Sequence, residues 1–171
     1  MACSYITATD KDLDLLVQMR VAFVQDLHPE YDEKQLLQIR TGTGAYVHEQ
    51  LAAGSYIGFF GVDHDACGMM PITTMASVPV DAIACTGALL VYTLPPLHGQ
   101  AGRKVGHVLN FFTRKAFRKR GYGKGLMECM IAYAKENGFS RLFLNATADG
   151  APLYRKVGYQ EVEDAMSLEL T

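Results

Sequence analysis

The residues best suited to chemistry are Arg118-Lys119-Arg120-Gly121-Tyr122-Gly123-Lys124-Gly125. They stand between a segment that reads as a buried strand, Val105 to Thr113, and one that reads as a helix from Gly123. The first N–H groups of a helix have no intrahelical acceptor, and the helix dipole places partial positive charge there. Glycines allow positive φ and close backbone approach, and the flanking Arg and Lys side chains add charge. Together these features suit a phosphate or pyrophosphate. The competing reading is a solvated basic turn that binds nothing.

The charge distribution sharpens the choice. The chain carries a net charge of -2, yet half of its 16 Lys and Arg residues fall within 103–124, which holds no Asp or Glu. A concentrated positive segment in a mildly acidic chain points to a local anionic partner. The string is not a Walker A loop, which needs GxxxxGK[ST]. Nor is it a dinucleotide fingerprint, because the third glycine of GxGxxG is replaced by Leu126.

The elements that must position this turn can be read from periodicity. Ser4-Tyr5-Ile6 is a short strand. Thr9 and Asp12 have the spacing of a capping box, and Leu13, Leu16, Val17, Val21, Val24 and Leu27 follow at helical spacing up to Pro29. A second helical stretch runs from about 33 to 53, with an interruption expected at Thr41-Gly42-Thr43-Gly44. Strands are expected over 55–62 and 83–93, with a polar turn at Asp63-His64-Asp65. Segment 67–80 fits either a strand or an insertion, and 99–106 reads as a loop. Leu126, Met127, Met130, Ile131 and Ala134 form one buried helical face ending at Asn137-Gly138. A strand over 141–145, a short helix over 152–157 and a last strand over 159–169 complete the pattern. The mixture is α/β, a sheet covered by helices.

Length and composition bound the rest. A chain of 171 residues that is 49% hydrophobic and 20% charged suits one domain, 1–171, with one buried core. Mean hydropathy is +0.04, and no apolar stretch approaches the roughly 20 residues of a membrane span. The start MACSYITATD has no secretory pattern. Cys3, Cys67, Cys85 and Cys129 lack metal or disulfide spacing and read as reduced thiols of a cytoplasmic protein. Asp63-His64-Asp65-Ala66-Cys67 matches no metal motif, so no metal is expected, and Met69, Met70 and Met75 read as packing.

The string Arg118-x-x-Gly121-x-Gly123 resembles the (Arg/Gln)-x-x-Gly-x-(Gly/Ala) loop of the GNAT superfamily, the acyl-CoA-dependent N-acyltransferases. Two further blocks carry the resemblance. Leu142-Phe143-Leu144-Asn145-Ala146-Thr147 is similar to that family's fifth strand. Leu153-Tyr154-Arg155-Lys156-Val157-Gly158-Tyr159 is similar to its Leu-Tyr-x-Lys-x-Gly-Phe ending. The resemblance is close over 105–160, loose over 1–60 and poor over 63–100.

It implies a mixed, mostly antiparallel sheet with splayed fourth and fifth strands and helices on both faces. It implies acetyl-CoA as cosubstrate and a primary amine of a small molecule or peptide as acceptor, with direct attack in a ternary complex. By resemblance, Arg118, Arg120, Gly121, Tyr122, Gly123 and Gly125 hold the pyrophosphate, and Phe112 and Thr113 lie beside the thioester. Asn145 also meets the cofactor. Tyr154 matches the family's general acid, and packing on the cofactor is the other role open to it. His107 stands where some members place a glutamate base, with ordered water as the alternative.

The first helix break is acidic, with Asp26, Glu30, Asp32 and Glu33 beside His28 and Tyr31. This suggests a cationic acceptor, although surface acidity without a binding role fits equally. Two other classes stand beside the transferase. One is a non-catalytic acyl-CoA sensor. The other is a nucleic-acid binder using 103–124, which the acidic remainder and the lack of a nucleic-acid motif disfavour. Neither nucleic acid nor membrane is expected as a partner, and monomer and homodimer both remain open.

Overall fold

The computed structural model describes every residue except 1, 69–71, 73, 97, 99–101, 163–167 and 170–171. Its sheet has five strands in the order β1-β2-β3-β4-β5. These are β1 Cys3–Thr7, β2 Tyr56–Asp63, β3 Ile83–Leu94, β4 Arg103–Thr113 and β5 Phe139–Phe143. The first four are antiparallel neighbours, and β5 joins β4 in parallel. The helices among the described residues are α1 Leu13–Leu27, α2 Glu33–Ala52, α3 His64–Cys67, α4 Tyr122–Glu136 and α5 Ala151–Lys156.

Both faces of the sheet are covered, so β2 and β3 read as nearly continuous apolar runs rather than alternating ones. Phe59 and Phe60, adjacent in sequence, point to opposite faces and are both fully buried. Phe60 joins Leu16, Met19 and Val47 beneath α1 and α2, and Phe59 joins Leu126, Met127 and Met130 beneath α4.

Local sequence sets the helix starts. The Thr9 N–H donates to Asp12 Oδ2 at 2.8 Å ahead of α1. At α2, Asp32 and Gln35 satisfy each other's backbone N–H groups, each at 2.8 Å. The helix α2 continues through Gly42 and Gly44, where an interruption was expected. Each glycine costs only about 1 kcal/mol in a helix, and the capping box together with packing on α1 offsets that. α4 stops at Asn137 and Gly138, the latter at φ +71°.

Segment 63–82, open from sequence, contains α3 and two short 3-10 turns at Met75–Ser77 and Val80–Ala82. Met75 is core, and Met69 and Met70 lie outside the described residues. Asp63 ends β2 and accepts the Ala66 N–H at 2.7 Å, so the expected polar turn is a capped helical turn. The expected loop over 99–106 gives way to β4 at Arg103. Strand β5 starts earlier than expected and ends at Phe143, leaving Asn145 beyond it. Residues 159–162 and 168–169 form no strand, and the rest of the expected last strand lies outside the described residues.

Two departures from a regular ladder matter for function. Thr86 pairs with Phe112 but Ala88 pairs with Leu109, so Asn110 and Phe111 together oppose Gly87. This is a β-bulge, and Asn110 takes φ 51° within it, a conformation asparagine tolerates better than most residues. The β4–β5 ladder ends at His107–Phe143, while β4 runs on to Thr113. Residues 108–113 therefore have no partner on the β5 side, and the two strands fork.

Glycine is required at 125 because α4 crosses β1 closely. A Cβ there would lie 2.5 Å from Cζ of Tyr5. Gly125→Ala is expected to cost about 1–3 kcal/mol through overpacking. Gly42→Ala, with nothing within 4 Å of the added carbon, should be neutral or stabilise by up to about 1 kcal/mol. Thermal unfolding of both variants by circular dichroism checks the contrast; equal midpoints would contradict it.

Candidate active site

The candidate site lies where the fork meets the start of α4. Thr113 ends β4, and a 3-10 turn over Lys115–Phe117 follows. Lys119 at φ 59° and Gly121 at φ 86° then reverse the chain into α4. No side chain caps α4. The Gly125 N–H already donates to the Gly121 carbonyl at 3.0 Å, so the helix's open donors are the amides of Tyr122, Gly123 and Lys124. A Cβ on Gly123 would come within 3.0 Å of Thr113 Oγ1. The open helix start and the unpaired end of β4 are thus adjacent.

The turn is held by carboxylates that its own sequence does not contain. Asp63 is only 2% exposed. It accepts from the phenol of Tyr122 and lies 3.7 Å from the Arg120 guanidinium. Burial alone would raise the Asp63 pKa, but the Tyr122 hydrogen bond, the Ala66 amide and the Arg120 charge outweigh it and leave the carboxyl below its ordinary range. The same contact has the opposite effect on Tyr122, whose phenol is pushed up to about 12 by desolvation and by Asp63. Tyr122 therefore offers the site its backbone, with its side chain in the core.

Asp26 of α1 plays a parallel role. It receives the Arg118 guanidinium and the Lys115 ammonium, the latter at 2.9 Å. Burial opposes its ionisation, but these two partners prevail, and its pKa is lowered. Arg118 Nε also donates to the Thr113 carbonyl at 2.9 Å, so this side chain ties the turn to β4 and α1. Arg114 meets Asp81 at 3.1 Å and Lys124 meets Glu128 at 2.6 Å. Much of the positive charge in 103–124 is therefore paired internally, which weakens the nucleic-acid reading. The acidic set near the first helix break is similarly engaged. Asp26 is ion-paired, Asp32 caps α2 and Glu30 lies 3.0 Å from His28.

The remaining expected site residues divide between the two faces. Phe112 is core, 6% exposed, with its ring 5.3 Å from that of Phe23. Phe111 points the other way, its centroid 5.9 Å from that of Tyr154. Tyr154 on α5 also packs edge-on to Tyr159 at 5.9 Å, and burial raises its pKa, so its phenol carries its proton at neutral pH. His107 is the last β4 residue paired with β5 and is half-buried at the fork. Asn145 is exposed, and with Tyr154 it lines a concavity of about 1100 Å³ between α4, β5 and α5. That concavity includes no β4 residue and none from the 118–125 turn, and Tyr154 is the residue that links it to Phe111 of the fork.

Sequence reading placed Asp63 only in a polar turn and did not single out Tyr56 or Arg20. Tyr56 on β2 accepts from the Asn110 side-chain amide at 3.2 Å, and Arg20 on α1 lies near Tyr56. No local motif signals these contacts, because the partners are far apart in the chain.

The Asp63 contacts predict a stability effect. Its folded pKa is depressed, so its stabilisation is present above the unfolded value near 4 and is lost as pH falls below that value. Asp63→Ala should lower stability at pH 7 by about 3 kcal/mol and flatten the loss between pH 5 and pH 3. Urea unfolding at both pH values tests this, and an unchanged pH slope would contradict it.

The sequence profile of the acetyltransferase (GNAT) family matches residues 23–159. The glucosamine 6-phosphate N-acetyltransferase of Trypanosoma brucei brucei is 26% identical over 92 residues. That match takes in 54% of this chain and 60% of that protein's length. Among solved structures, a protein of Clostridium acetobutylicum described as an acetyltransferase, crystallised with acetyl-CoA, superposes with a TM-score of 0.74 at 21% identity, over 98% of this chain and 96% of that one. A GCN5-related N-acetyltransferase of Ralstonia eutropha gives a TM-score of 0.72 at 24% identity, over 99% of both chains. These two likenesses establish the fold, and the profile extends over most of the sequence. On that extent of match, the chain belongs to the acetyltransferase (GNAT) family.

Proposed function

We propose that the protein transfers the acetyl group of acetyl-CoA to a primary amine, with both substrates bound together on one domain spanning 1–171. One observation carries the reading: open helix amides and an unpaired stretch of β4 adjoin at Gly123 and Thr113. An extended ligand with a pyrophosphate at one end and an amide-bearing arm at the other fits that pair of features. Acetyl-CoA supplies an acetyl group activated as a thioester.

The amides of Tyr122, Gly123 and Lys124 receive the pyrophosphate, with Gly121 setting the turn. Arg118 and Arg120 keep the turn in place through Asp26 and Asp63, and Gly125 lets α4 seat on Tyr5. The free edge of β4 up to Thr113 accepts the arm as an added strand. Phe112 supports it from the core, and Asn145 contacts the cosubstrate beyond β5. A β4 amide at the bulge donates to the carbonyl oxygen as negative charge develops there. The Tyr154 phenol gives its proton to the departing sulfur, and His107, directly or through water, accepts the proton that the amine loses. Four free cysteines suit a reducing compartment such as the cytoplasm. No described helix is long and apolar enough to cross a membrane.

Calorimetry with acetyl-CoA tests the cosubstrate site. Wild type should bind, and Gly123→Glu should abolish binding while circular dichroism shows a folded chain. No binding to folded wild type would remove the transferase reading. Tyr154→Phe should retain acetyl-CoA affinity and lose about a hundredfold or more in kcat. Retention of wild-type kcat would reduce Tyr154 to a packing role, and absence of turnover across amines despite tight binding would favour the sensor.

A further inference from the structure

Arg20 stands apart from the arginines around the turn. Arg114, Lys115, Arg118, Arg120 and Lys124 each have a carboxylate partner. Arg20 makes no ion pair or hydrogen bond among the described residues, although it is half-buried. Its guanidinium lies 5.4 Å from the centroid of the Phe23 ring. Phe23 in turn packs on Phe112 of β4, so Arg20 sits beside the aromatic contact that joins α1 to β4.

The register fixes what shares this face. Tyr56 opposes Leu90, and Leu90 opposes His107, so all three side chains project from the same side of the sheet. That is the α1 and α2 side, where Tyr56 is core. Asn110 reaches Tyr56 from the bulge at 3.2 Å. The phenol of Tyr56 lies near Arg20, and desolvation holds the guanidinium pKa below its ordinary value. A partly desolvated cation with no counterion beside a reaction site is complementary to an anion. Its planar fork matches the oxygens of a phosphate or a carboxylate.

We propose that the acceptor amine carries an oxyanion group, phosphate or carboxylate, and that Arg20 is the residue that recognises it. The inference rests on the acetyl-transfer reading and reverses the cationic preference suggested by sequence acidity. The acceptor approaches from the α1 and α2 side, with its anion on Arg20 and its amine towards His107 and the end of the fork.

The test is calorimetric titration of two matched pairs, glucosamine 6-phosphate against glucosamine and L-serine against ethanolamine. Each is titrated into free protein and into protein saturated with CoA. In wild type, at least one probe with the oxyanion group should bind about tenfold or more tightly than its counterpart without it. The pair that shows the preference identifies phosphate or carboxylate as the group. Arg20→Gln should erase the preference, and Arg20→Lys should restore part of it. Coenzyme affinity should stay at the wild-type value in both variants, which reports an intact fold. The proposal is overturned if neither probe with the oxyanion group is preferred, or if the preference survives in Arg20→Gln. Failure of wild type to bind CoA would instead count against the transferase reading, and the free-protein titrations would still decide the role of Arg20.

Discussion

The site depends on a buried carboxylate at the end of β2. Asp63 takes the Tyr122 phenol, faces Arg120 and caps α3 through Ala66. One side chain thereby fixes the start of α4 relative to the sheet. A buried carboxylate is tolerated only when hydrogen bonds and charge replace its water, and here they come from the turn that must be positioned. Asp26 acts on the same turn from the α1 side through Arg118 and Lys115. A segment with no acidic residue of its own is thus anchored at both ends by acids from distant strands and helices.

The second constraint is the mismatch between β4 and its neighbours. On the β3 side, the extra residue at Asn110 and Phe111 bends the strand. On the β5 side, pairing stops at His107. A free strand edge within a sheet is ordinarily a liability. Here it is kept open where the uncapped helix start also presents donors, so both sets of unsatisfied backbone groups face one place. As neighbours in a strand, Phe111 and Phe112 point to opposite faces, one ring towards Tyr154 and the other into the core against Phe23.

Glycine serves two separate purposes in this turn. Gly121 is needed for its backbone angle, since nothing lies near its absent side chain. Gly125 is needed for space, since Tyr5 occupies the position of its Cβ, and its own N–H is already used within the helix. Motif reading groups the two together because both are glycines within one short string. Only the crossing of β1 by α4 separates their roles.

Much of this protein was legible in its sequence. The strand, glycine turn and helix over 105–136, the helix start at Thr9 and Asp12 and the short helix at Pro152 depend on local periodicity, capping and backbone freedom, which neighbouring residues encode. The tertiary structure alone decided what those residues do to one another. The continuity of α2 through its glycines came from capping and packing on α1. The early end of β5 followed from strand pairing, and the internal pairing of the basic turn from Asp26 and Asp63. The position of Arg20 beside Phe23 and Tyr56 came from how α1 crosses the sheet. Each of these is a contact between segments far apart in the chain, and such contacts leave no spacing for a motif to record.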